Sequence, residues 1–304
     1  MVTRDLNSIK KQARSLLNDN RLEEARAAYS EICGLDSTDV NAWHILGAIN
    51  GMLGHYPAAE TCARKVITLN PGSEGGLRNL ASALLAQNKH EEAISCFDRL
   101  LTTCTGDPEL HAGLGSALQG MGRHEEAIAA YTKALQYAPD NIDALCGIGK
   151  GLSELAHYDK ARKYLLDACR LNPGNADARH NLAITQEELH NLDDAINSAQ
   201  HALSIQPGNT VYKLQLARLF RKAGEYIPAR SILEELLALE LRPTAHITAA
   251  TELGRVLERL GDYAGAFDMF RKSNTIAAAL PEVRALDENV IYRKIDRNMK
   301  WYSK

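Results

Sequence analysis

The chain has 304 residues, with 35 Lys and Arg against 38 Asp and Glu, a formal charge of -3 and a hydrophobic share of 45%. That balance suits a folded, water-facing protein and gives no support to a strongly basic nucleic-acid binder or a disordered polyelectrolyte. No uncharged apolar run approaches the ~18 residues of a membrane span. The opening MVTRDLNSIKKQARSLL carries charges where a secretory leader needs an apolar stretch, so a cytoplasmic location is expected.

From the N-terminus, two stretches with helical apolar spacing, LNSIKKQARSLL and LEEARAAYSEIC, flank a short polar turn. The same sentence then recurs. Ala25, Ala59, Ala93, Ala127, Ala161, Ala195 and Ala229 are spaced by 34, and Ala266 follows after 37, which puts three extra residues near Thr244 to His246. A second column, Ala13, Gly47, Ala81, Gly115, Gly149, Ala183, Ala217 and Gly254, holds only Ala or Gly. Between them runs a third: Asn20, Gly54, Asn88, Gly122, Ala156, His190, Gly224 and Gly261.

Each repeat therefore reads as two helices joined at the third column, where a left-handed residue ends the first helix. The small residue of the first helix is expected to face the small Ala of the second, with Leu46, Leu80, Leu114, Ile148 and the Tyr29, Phe97, Tyr131, Leu165 series filling the seam. Pro71, Pro139, Pro173 and Pro207 stop the second helices. LEELLALEL (233–241) suggests a longer second helix in the seventh repeat. The six cysteines lack metal-ligand or CxxC spacing and read as core fillers. His55, His90, His124, His157 and His190 fall in the turns, exposed.

Trp43-x-x-Leu46-Gly47, Gly54-x-Tyr56-x-x-Ala59 and Pro71 within one repeat resemble the tetratricopeptide repeat family. The resemblance implies an all-α, right-handed superhelical solenoid of about eight repeats over 1–280 (6–39, 40–73, 74–107, 108–141, 142–175, 176–209, 210–243 and 247–280), with a C-terminal capping or connector helix at 281–304. It also implies a concave groove lined by the first helices, used as a non-catalytic scaffold for a peptide or protein. The family's inward positions are Lys10, Arg14, His44, Arg78, Lys150, Glu154, His180, Glu187, Arg218, Arg221, Lys222, Arg255 and Arg259. They run acidic in the middle and basic toward the C-terminal end, so an acidic segment is the expected partner of the last repeats. Self-association through the end faces is a further expectation.

No phosphate loop, HExxH or GxSxG pattern occurs, and neither a cofactor nor a metal is expected. One stretch, ELGRVLERLGDYAGAFDMFRKSN (252–274), resembles the last repeat of bacterial tetratricopeptide–sulfotransferase proteins. That likeness implies the alternative of a repeat region presenting polypeptide to a catalytic domain this chain lacks.

Overall fold

The computed structural model describes residues 6–280, so the expected capping helix at 281–304 lies outside the described residues. The chain divides after Pro173 into two compact units. The first carries five helical hairpins: α1 (Leu6–Asn18) with α2 (Leu22–Leu35), α3 (Val40–Met52) with α4 (Tyr56–Leu69), α5 (Glu74–Ala86) with α6 (His90–Leu101), α7 (Pro108–Gly120) with α8 (His124–Tyr137), and α9 (Ile142–Glu154) with α10 (Tyr158–Leu171). The second carries three: α11 (Ala176–Glu188) with α12 (Leu192–Ile205), α13 (Thr210–Ala223) with α14 (Tyr226–Leu237), and α15 (Pro243–Arg259) with α16 (Tyr263–Ala279). Among the described residues every regular element is a helix, as the spacing predicts.

The punctuation is written locally. Asn20, Asn88, Ala156 and His190 have φ between 56° and 60°, and Gly54, Gly122, Gly224 and Gly261 between 74° and 83°. All eight members of the third column thus take the left-handed turn. The first helices α3, α5, α7, α9, α11 and α13 begin with Asp39, Ser73, Asp107, Asn141, Asn175 and Asn209, whose side chains accept from backbone N–H groups of the first turn. Proline stands two residues past the ends of α4, α8, α10 and α12.

Both alanine and glycine columns are buried throughout, but in three hairpins the pairing differs from the expected small-on-small contact. A Cβ placed on Gly115 would meet the Tyr131 ring at 2.8 Å, one on Gly149 would meet Leu165 at 2.5 Å, and one on Gly254 would meet Phe270 at 2.7 Å. In these three hairpins the small residue of the first helix accommodates the large residue of the second, whereas a Cβ on Gly47 would meet Cys62 at 3.2 Å and the Ala59 carbonyl at 3.7 Å, the small contact expected. The same ring also reaches forward: Phe97 would clash with a Cβ on Gly113, and Tyr131 with one on Gly147. Each ring is a wedge between consecutive first helices, and close packing at native density leaves it no slack.

Three further expectations need correction. The second helix of the seventh repeat, α14, ends at Leu237 and is shorter than most of its counterparts, with Ala238 closing it and Pro243 opening the next helix. The extra residues lengthen α15 at its N-terminus, moving the start of the eighth repeat from 247 to Pro243. His90 and His124 are half-buried rather than exposed, since they open α6 and α8 and pack at the turn. None of the six cysteines is in a disulfide, and Cys33, Cys62, Cys96 and Cys169 are buried. Burial pushes the Cys33 thiol up to about 12.

Consecutive second helices are tied by charge in the first unit. Glu60 on α4 accepts from Lys89 Nζ at 2.8 Å, Gln87 Nε2 at 2.8 Å and Arg64 at 2.9 Å. The Lys89 bond, with Arg64 and Gln87 behind it, overcomes burial and holds the carboxyl at about 2 against an ordinary 4.5. A depressed carboxyl contributes its stability above its unfolded pKa and loses it as pH falls through the folded value. Glu60→Gln is therefore expected to cost about 1–3 kcal/mol at pH 7. The deficit should shrink between pH 4.5 and 2, and urea unfolding of both proteins across that range measures it.

Candidate functional site

First helices lie side by side in each unit, and polar side chains bridge them. In the first unit Lys10 Nζ on α1 lies 2.6 Å from Asp39, the residue that caps α3. Lys10 leads the forces that hold the Asp39 carboxyl below its usual range. Arg78 on α5 repeats the arrangement with Asp107, the cap of α7, at 2.6 Å. The positive charges at Lys10 and Arg78 thus serve the start of the following hairpin. Arg14 lies against the Tyr29 hydroxyl, and with Lys10, Asp39 and Ile45 it lines a recess of about 110 Å³. His44 offers its carbonyl to Asn79 Nδ2 at 3.4 Å. Lys150 and Glu154 project from α9, exposed and with no ion-pair partner among the described residues.

The second unit collects the remaining predicted residues on α11, α13 and α15. His180 on α11 packs its ring at 4.8 Å from the Tyr212 ring of α13, and the Tyr212 hydroxyl donates to Asp177 at 2.5 Å. Burial and this carboxylate both raise the Tyr212 hydroxyl's pKa. Lys222 on α13 reaches back to Glu187 on α11 at 2.5 Å. Arg221 Nε on α13 donates forward to Glu252 Oε2 on α15 at 2.7 Å, and Arg255 donates to Glu252 Oε1 at 2.8 Å. Arg218 and Arg259 are exposed and have no ion-pair partner among the described residues.

Depth separates the two signs of charge. Lys222 is 41% exposed over a Glu187 that is 9% exposed, and Arg255 is 52% exposed over a Glu252 at 7%. The carboxylates lie beneath; the ammonium and guanidinium groups meet solvent. Glu188 and Glu258 are exposed beside them, so the positive charge forms a stripe rather than a sheet. Sequence reasoning missed Glu252, the counter-ion of two predicted arginines. Its only signal was register: counting the three-residue insertion, it falls where Gln215 falls on α13 and Asn79 on α5.

Among the described residues no group of three or more His, Cys, Asp and Glu is placed to hold a metal ion, and no helix is long and apolar enough to cross a membrane. The groups brought together here make a charged face.

Residues 53–108, 108–141, 142–175, 164–197 and 214–281 match the tetratricopeptide repeat family, well over half of the chain. The stretch 252–274 falls inside the last of these matches. No curated protein matches the chain in sequence. Among solved structures it is similar to a tetratricopeptide repeat protein from Parabacteroides merdae, at 18% identity over 81% of this chain and 96% of that one, with a TM-score of 0.60. It is similar also to the APC/C hetero-tetramer Cut9–Hcn1, at 18% identity over 88% of this chain and 55% of that one, TM-score 0.59. The pilF protein of Pseudomonas aeruginosa aligns at 21% identity over 69% and 95% of the two chains, TM-score 0.57. With its eight hairpins, its left-handed turns and these matches, the chain belongs to the tetratricopeptide repeat family.

Proposed function

We propose that the chain is a non-catalytic interaction scaffold whose α11–α13–α15 face docks a peptide or protein segment carrying carboxylates. Tetratricopeptide repeats serve generally as protein–protein interaction scaffolds. The observation that carries the finer reading is the depth ordering of charge: exposed Arg255 stands over buried Glu252 and exposed Lys222 over Glu187, with Arg218 and Arg259 exposed on the same two helices. An incoming carboxylate can take two parallel bonds from a guanidinium, and Arg218 and Arg259 need break no ion pair with the described residues to supply them. The sequence's other reading, a repeat region feeding a transferase, would use the same face, and no separate observation favours it.

A labelled, amidated polyglutamate peptide of about ten residues tests the proposal by fluorescence anisotropy against the full chain. Saturable binding that weakens with salt is expected, with a loss of about tenfold or more in Arg218→Glu/Arg259→Glu and none of it shown by polyglutamine. Equal affinity for wild type and the double variant would overturn it.

A further inference from the structure

In the first unit the third hairpin departs from its neighbours in three ways. Its second helix, α6, has 12 residues where α4, α8 and α10 have 14. Thr103 stands where the repeat puts Leu35, Leu69, Tyr137 and Leu171, and Thr105 where it puts Pro71, Pro139 and Pro173. The fourth hairpin adds a departure of its own, because His111 occupies the column of Trp43, Leu77 and Leu145. The changes meet at one place. Between α6 and α8, over the flank of α7, lies a recess of about 620 Å³ lined by Leu101, Leu114, Leu118, Ala130, His111 and Tyr137. Its size is usual for a small-molecule site.

His111 is only 6% exposed. Its Nε2 lies 2.9 Å from the Thr105 carbonyl, which can only accept, so in the neutral ring Nε2 carries the hydrogen and Nδ1 is an acceptor. Nδ1 is closed to solvent and has no hydrogen-bond partner among the described residues, an unusual state for a buried polar atom. The Tyr137 ring stacks over the imidazole, 5.9 Å away and 7° from parallel, yet is itself 55% exposed. At the rim Asp98 offsets Lys133, and Glu126 is taken up by Arg123 at 2.7 Å, so charge selects little there. We propose that the recess binds a small, neutral aromatic compound carrying one N–H or O–H donor, with the donor meeting His111 Nδ1. Tyr137 turns outward to admit the ligand, whose ring replaces it against the imidazole. Leu101, Leu114, Leu118 and Ala130 take up the remaining apolar surface.

Indole and 1-methylindole share a ring system and differ in the N–H, so together they separate hydrogen bonding from apolar uptake. Calorimetric titration of the full chain is expected to show saturable indole binding, about five- to tenfold tighter than that of 1-methylindole. His111→Leu, which restores the residue of the neighbouring repeats, should melt no lower than wild type and bind the two compounds alike. Ala129→Trp, at an exposed position of α8 on the recess wall, should fill the space and abolish indole binding without loss of stability. No saturable indole binding, equal wild-type affinity for both compounds, or indole bound as before by Ala129→Trp would each overturn the proposal. So would a melting temperature several degrees lower in His111→Leu, which would make His111 a structural residue.

Discussion

Tyr131→Ala is expected to lower the unfolding free energy by about 3–5 kcal/mol, the range for deleting a large buried ring that its surroundings cannot collapse onto. The ring is 4% exposed and fills the space left by two glycines, Gly115 within its own hairpin and Gly147 on the next. Burial also drives the phenol up to about 12. Because the glycines carry no side chain, neither Gly115 nor Gly147 can reach into the void. Gly147→Val is the converse case: a Cβ there would stand 2.3 Å from the ring, and overpacking costs about 1–3 kcal/mol. Urea unfolding followed by circular dichroism measures both. Wild-type stability in Tyr131→Ala would mean that the ring does not hold consecutive first helices apart.

Glu252→Gln is expected to destabilise the fold by about 2–3 kcal/mol, below the full cost of breaking a buried ion pair because Arg221 is 24% and Arg255 52% exposed. The amide keeps the shape and can still accept one bond, but two guanidinium groups lose their common counter-ion. The same change frees positive charge on the face, so polyglutamate should bind the variant more tightly than wild type, by about threefold to tenfold at low salt. Lower stability with higher affinity is the signature of a carboxylate that holds arginines down. Loss of both would show that Glu252 is needed to aim them.

How much was legible depended on how local the determinant was. The eight left-handed turns could be read from Asn20 to Gly261 because backbone sterics at a single residue decide them. Helix starts at Asp39 or Asn141 were equally local. Partner choice inside the seam was not: the columns show that Gly115 is small, yet only packing reveals that Tyr131, not Ala127, lies over it. The length of α14 escaped because LEELLALEL keeps helical apolar spacing past Leu237, where the helix ends. The charge pattern was the least legible part. Arg221, Lys222 and Arg255 were picked out by the family's register, but the partners of Arg221 and Lys222, Glu252 and Glu187, come from neighbouring helices, which no single-helix pattern displays.

Asp39 and Asp107 each hold two tasks, opening a helix and receiving a cation from the hairpin before. At those two joints the first turn of one hairpin cannot fray without also letting go of its predecessor, whereas at the joint between them Ser73 caps α5 through an uncharged hydroxyl. That middle joint is tied instead at its second helices, by Glu60 with Lys89 and Arg64 with Glu92, so all three joints along residues 6–120 carry an ion pair and differ in which layer of helices bears it.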